Sequence, residues 1–236
     1  MSSRTPPLQP RFLMLVASLF TGALIVSNII AVKIADFSGI SGPIPNYFLP
    51  AAVVVFPLSY IIGDVLTEVY GYAAARRVIW SAFAANALAV VAIVAAQHVP
   101  AAPFWKDQSA YEAILGQTWR IVAASFLAFL VGEFANSMVL ARMKVATHGR
   151  FLWTRTIGST IVGEGLDSMI FITVAFAGTA GIDVWDLIWK QWLFKTLFET
   201  LATPLTYAAV IALKRLEGID VYDAGTNLNP VAVWEQ

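Results

Sequence analysis

Six stretches of the chain are almost wholly apolar over the length a helix needs to cross a bilayer. They cover about residues 12–35, 48–70, 78–97, 119–141, 156–178 and 187–213. Polar or turn-forming residues separate them. Residues 39–46, with Gly42, Pro43 and Pro45, predict a non-helical connection. Residues 100–117 mix Pro103, Phe104, Trp105, Lys106 and Asp107, which suits a loop or short helix lying in the membrane interface. Pro57 and Pro204 fall inside the second and sixth stretches and should kink them. The predicted fold class is an all-α integral membrane protein with six transmembrane helices.

Within these stretches a few polar positions recur at helical spacing. Glu133, Asn136 and Ser137 form one polar face of the fourth span. Gln191, Lys195 and Glu199 lie at successive i+4 steps on the sixth. Ser27 and Asn28 mark the first span, and Asn86 the third. The fifth span carries Ser159–Ser168, S-T-I-V-G-E-G-L-D-S, whose acids Glu164 and Asp167 share a face. A charge at bilayer depth costs about 2.5–3.5 kcal/mol on insertion scales, so two in one span point to function. One hundred residues earlier, Ser59–Glu68 reads S-Y-I-I-G-D-V-L-T-E, with Asp64 in the place of Glu164. Both fit S-x-I-x-G-acid-x-L. The second and fifth spans run in opposite directions, so the pair predicts two three-helix inverted repeats with a site between them near the midplane.

Charge distribution orients the bundle. The two tails and the connections after spans two and four hold Arg4, Arg11, Arg76, Arg77, Arg142, Lys144, Arg150, Arg155, Lys214 and Arg215, against Lys106 and Arg120 on the other side. That asymmetry places both termini in the cytoplasm. The domain reading is then a disordered cytoplasmic tail at 1–11, a transport domain at 12–215, and a loosely ordered polar cytoplasmic tail at 216–236.

Composition narrows the function. The chain has 236 residues, 58% hydrophobic and 13% charged, with a mean hydropathy of +0.72. A soluble domain is nearer a quarter charged. Net formal charge is zero, which gives no footprint for nucleic acid. The absence of cysteine excludes disulfides and thiol chemistry. His98 and His148 lie outside the apolar runs and form no ligand set, so neither metal nor cofactor is expected.

The motifs S-N-I-I-A-V-K (27–33), F-P-L-S-Y-I-I-G-D-V-L-T-E-V-Y-G-Y (56–72) with Arg76 and Arg77, G-S-T-I-V-G-E-G-L-D-S (158–168), and Lys195 with Thr203-Pro204-Leu205 resemble those of the queuosine precursor transporters, also called the vitamin uptake transporter family. The resemblance covers roughly residues 12–215. It implies a bacterial inner-membrane importer of the 7-deazaguanines preQ0 and preQ1, with no enzymatic activity. A deazaguanine offers a ring N–H and an exocyclic amine side by side, two parallel donors that a carboxylate accepts together. The expected substrate site is Asn28, Asp64, Glu68, Asn136, Ser159, Glu164, Asp167 and Lys195, with Asp64, Glu164 and Glu199 as proton-coupling candidates. Glu68 lies a turn nearer the cytoplasm, within reach of Arg76 or Arg77.

Competing readings remain at this stage. The acids could instead pair with Lys33 or Lys195 and only lock helices together, and Lys195 and Glu199 could neutralise each other. At the level of the whole protein, the rival is a substrate-binding subunit of an energy-coupling-factor vitamin transporter. An intramembrane aspartyl protease is disfavoured, because Gly63-Asp64 lacks the glycine two residues before Gly63 that a Gly-x-Gly-Asp motif needs, and no span contains Tyr-Asp. The lipid bilayer and the small-molecule substrate are the expected partners, and a homo-oligomer is compatible with the sequence.

Overall fold

The longest uninterrupted apolar segments become the longest helices. The structure, a computed structural model, describes residues 10–39, 47–116, 119–178 and 183–234. Its helices are α1 (Leu13–Ile30), α2 (Phe56–Tyr70), α3 (Tyr72–His98), α4 (Gln108–Leu115), α5 (Trp119–Ala146), α6 (Leu152–Phe176) and α7 (Val184–Glu217). Two short strands, β1 (Ile34–Asp36) and β2 (Phe48–Pro50), pair antiparallel with Ala35 opposite Leu49. The expected connection at 39–46 lies almost wholly outside the described residues, and these strands flank it. A single 3₁₀ turn, Ala51–Val54, leads into α2.

Five helices, α1, α3, α5, α6 and α7, are long and apolar enough to cross a membrane. The protein is an all-α multi-pass membrane protein. Its surface is the inverse of a soluble one. Leu19, Leu88, Val91, Leu127, Leu201 and Leu205 are exposed, while Arg76, Lys144, Arg155, Glu68, Glu133 and Glu164 are buried. Lipid is the solvent that tolerates such an exterior. Short α4 has no buried residue, as an interfacial helix between α3 and α5 should.

Helix α2 differs from the expected second span. Pro57 sits in its first turn, where a missing N–H costs nothing, and so opens the helix instead of kinking it. The segment before it, 48–54, is strand and 3₁₀ turn. Twelve of the fifteen α2 residues are buried, because α2 packs against α1, α3, α5 and α7. Gly71, at φ 83°, ends it in a conformation open to glycine. The first span also stops early. α1 ends at Ile30, and the chain turns into β1.

Four helices run beyond the expected spans at one end of the bundle. α3 begins at Tyr72, α5 continues to Ala146, α6 begins at Leu152, and α7 continues to Glu217. Arg76, Lys144 and Arg155 therefore lie inside helices, where buried partners satisfy them. The Glu217 carboxylate, at the end of α7, accepts from the backbone N–H of Arg11 (2.8 Å) and Phe12 (2.7 Å) and from the Tyr70 hydroxyl (2.8 Å). The start of α1 and the ends of α2 and α7 thus share this basic end.

The C-terminal tail is a docked strap, not a loose end. Arg76 donates to the carbonyls of Asn227 (2.7 Å) and Asn229 (2.9 Å), and the Trp80 indole donates to that of Pro230 (2.8 Å). The Asp223 carboxylate accepts from the Tyr72 N–H at 3.0 Å. Asp220 pairs with Lys144 (2.6 Å) and Lys214 (2.8 Å). Burial pushes the Asp220 carboxyl up, but those two ammonium groups outweigh it and hold the group below the ordinary aspartate value of 3.8. A depressed carboxylate gives stability that is present above that value and lost as pH falls below it. Asp220→Asn should therefore speed amide hydrogen exchange across residues 219–230 at neutral pH, and acid should do the same to the wild type. Unchanged exchange in the variant would show that the strap is held without Asp220. Asp220 is half exposed, so the effect is modest.

Candidate functional site

In α6 the segment Ser159–Ser168 faces inward along most of its length. Ser159, Thr160, Gly163, Glu164, Asp167 and Ser168 are all buried. The helix-face argument holds because α6 packs on α5 and α7, leaving Ile161, Val162 and Met169 exposed. Close approach is built in. A Cβ on Gly163 would meet Asn136, and one on Gly132 would meet the Gly163 carbonyl at 3.0 Å. On α2, a Cβ on Gly63 would collide with the Glu133 carboxylate. The glycine of each repeated segment thus lets a polar residue of α5 settle against it.

Lys195 on α7 supplies the counter-charge. Its Nζ lies 2.8 Å from Glu164 Oε2 and 2.5 Å from Asp167 Oδ2. It also stands over the Phe56 ring, 4.2 Å from the centroid. Lys195 therefore joins the α6 acids and not Glu199, its i+4 neighbour, whose carboxylate accepts a short hydrogen bond from the Thr160 hydroxyl. Asp64 on α2 accepts from the Asn136 amide at 2.8 Å.

These residues fall into two layers. The outer layer lines a cavity between the helices. Asn28, Asp167 and Lys195 line it, and so do Ser27, Phe56, Ser125, Phe171 and Gln191. It lies among the end of α1, the β2 and 3₁₀ segment, the start of α2 and the start of α7, at the end of the bundle opposite the basic strap. Asn28 is fixed in its wall, donating to Asn86 Oδ1 (3.1 Å) and accepting from Ser125 (2.7 Å). The inner layer is acidic and holds Asp64, Glu133, Glu164 and Glu199. Glu133 lies within electrostatic reach of Asp64, Glu164 and Asp167, and Glu199 within reach of Asp64, Glu164 and Glu133.

Two expected site residues lie elsewhere. Glu68 is fully buried in an ion-pair network at the basic end. Arg155 Nε and Nη2 reach its two oxygens at 2.8 Å each, and Lys214 Nζ lies 2.6 Å away. Its partner is thus Arg155, not Arg76 or Arg77. Ser159 donates within its own helix to the Thr156 carbonyl (2.9 Å). Conversely, Glu133, Ser125 and Gln191 belong to the site region and were not among the expected residues. Glu133 is fully buried, and neither of its oxygens has a hydrogen-bond partner among the described residues. Its spacing with Asn136 marked it as polar and inward, but nothing local showed what it would face.

The chain is similar to known proteins. The family model described as "Putative vitamin uptake transporter" matches residues 50–209. A protein of Bacillus subtilis (strain 168) named "Probable queuosine precursor transporter" is 30% identical over 191 residues, which are 79% of this chain and 80% of that protein. No solved structure matches the chain.

Proposed function

The chain belongs to the vitamin uptake transporter family, and on that premise we propose that it imports the queuosine precursors preQ0 and preQ1 across a bacterial inner membrane. It is a multi-pass transporter and not an enzyme. The observation that carries the substrate reading is the cavity in which Asp167 and Lys195 meet Asn28, Ser125, Gln191 and two aromatic rings, Phe56 and Phe171.

The cavity chemistry fits a planar base with adjacent donors. The Asp167 carboxylate accepts the ring N–H and exocyclic amine as a pair. Asn28, Ser125 and Gln191 supply donors and acceptors to the remaining edge. Phe56 or Phe171 stacks on the ring face. Lys195 is shared between Asp167 and Glu164, so when substrate takes Asp167 the ammonium keeps Glu164 as its partner. A ligand without the two donors would leave Asp167 buried and unpaired, which is the basis of selection.

The six-span architecture follows if α2, with the 3₁₀ turn before it, completes the crossing between α1 and α3. Both termini are then cytoplasmic, the cavity faces the periplasm, and the strap covers the cytoplasmic end. The domain reading is 12–215 for transport, flanked by the tails. α1–α3 and α5–α7 are an approximate inverted repeat, supported by the opposed S-x-I-x-G-acid segments of α2 and α6. The relation is loose in packing, since α2 contacts four helices where α6 contacts chiefly two. A reporter fused at either terminus should be active only on the cytoplasmic side. Periplasmic activity would overturn this orientation.

Asp64, Glu164 and Glu199 carry the coupling proton in this reading. Among the described residues the two layers hold five carboxylates, Asp64, Glu133, Glu164, Asp167 and Glu199, against the ammonium of Lys195. Buried surplus charge of that size is not sustained, so some of these acids carry protons and can exchange them. The deciding experiment is uptake of labelled deazaguanines into liposomes containing only the purified protein, with and without an imposed proton gradient. Uptake there excludes a subunit that needs an energy-coupling partner. No uptake under either condition would sink the importer reading.

A further inference from the structure

The cavity assigned to substrate does not use the Asp64–Glu199 pair. These two carboxylates line a separate small cavity between α2, α6 and α7, with room for about one water-sized sphere, nearer the basic end. Its remaining polar lining is hydroxyl, from Thr156, Thr160, Thr203 and Thr206. Asp64 and Glu199 are both more than nine-tenths buried, and Glu199 Oε1 has no hydrogen-bond partner among the described residues.

The hydroxyl protons of Thr156, Thr160 and Thr203 are committed. Thr156 donates to the Trp153 carbonyl (3.2 Å), Thr203 to the Glu199 carbonyl (3.0 Å), and Thr160 to the Thr156 carbonyl (2.8 Å) or to Glu199 Oε2. A hydroxyl whose proton is spent on a carbonyl turns its lone pairs the other way. Asp64 Oδ1 and Glu199 Oε2 are likewise held, by Asn136 and Thr160. What these groups leave toward the cavity is a set of hard oxygen acceptors. That is a cation site and not an anion or amide site.

We propose that the Asp64–Glu199 cavity binds one dehydrated monovalent cation of sodium size. Charge and room select the class. Magnesium keeps several waters, which a cavity this small does not accommodate, and calcium takes six to eight oxygens with more carboxylate than this site offers. A monovalent ion here displaces a proton carried by one of the two acids, so sodium in and proton out leave the charge of the site unchanged. The groups facing the pair are Glu133 on α5, Glu164 on α6, Glu68 on α2 and Glu199's own neighbour Lys195. The ion's use in transport rests on the uptake reading above, but the site itself does not.

The test is thermal unfolding of the purified protein at pH 8 in NaCl, KCl or choline chloride at equal ionic strength, without substrate. At sodium concentrations about 100-fold above its Kd, the midpoint should rise by roughly 5–10 °C relative to choline. Asp64→Asn and Glu199→Gln should abolish the rise. Thr206→Val, nearly isosteric, should fold normally and weaken the sodium dependence several-fold, which keeps the test decisive if an acid variant fails to fold. Equal midpoints in all three salts, or a sodium effect untouched by Thr206→Val and both acid variants, overturns the site. A sodium shift without deazaguanine uptake in liposomes would instead leave the site standing and remove the substrate reading.

Discussion

Asp167→Asn lowers deazaguanine uptake by roughly two orders of magnitude or more, whereas Glu164→Gln lowers it far less. The expectation comes from which carboxylate meets the cavity. Asp167 lines it, while Glu164 lies behind Asp167 and touches Lys195 at 2.8 Å. A hydrogen bond to a charged group contributes about 1.5–3 kcal/mol, so losing a bidentate pair costs about 10²-fold or more in transport efficiency. The amide that replaces Asp167 keeps its size but turns one acceptor into a donor, which opposes a substrate donor. Lys195 retains Glu164 in this variant, so the helix packing keeps one of its two ion pairs. The two variants are compared as initial uptake rates at matched protein in liposomes. If Asp167 served only to pair with Lys195, both variants would lose activity alike, and equal losses would remove it from the substrate site.

The apolar pattern revealed the long helices because lipid imposes one demand, an apolar exterior over a fixed length, and that demand is local in sequence. Their ends were harder to read. Arg76, Lys144 and Arg155 read as boundary charges because the groups that neutralise them lie far along the chain. Arg155 meets Glu68 from 87 residues away, and Arg76 meets carbonyls of the strap more than 150 residues on. The same limit explains Lys195. The i+4 rule offered Glu199, but tertiary packing brought Glu164 and Asp167 closer. Asp64, Glu164 and Asp167 were legible as inward acids from spacing alone. Their division into a cavity layer and a buried layer was not, since it depends on how α2, α5 and α7 converge. Pro57 departs from its sequence expectation for a related reason. The apolar run hides the strand and turn before it, and a proline in a first turn does not kink a helix.

The largest stability loss is expected at Glu68, far from the substrate cavity. Its carboxylate is fully buried and neutralises Arg155 on α6 and Lys214 on α7, with Lys144 of α5 at 3.6 Å. One anion on α2 therefore ties three other helices together at the end where the strap docks. Among the described residues, Glu68→Gln leaves three cations there with Asp220 as their remaining paired carboxylate, and Asp220 pairs with Lys144 and Lys214 but not with Arg155. Breaking a buried ion pair by removing one partner costs about 3–5 kcal/mol, because the survivor stays desolvated and uncompensated. Arg155→Met should cost less, since Lys144 and Lys214 still serve Glu68. The double variant should cost less than the sum of the two, because Arg155 is no longer stranded when Glu68 is gone. Unfolding midpoints of the purified variants in nanodiscs measure all three. Glu68→Gln within about 0.5 kcal/mol of wild type, the span of a neutral surface change, would show that the three cations find other partners and that the network is not what joins α2 to α6 and α7.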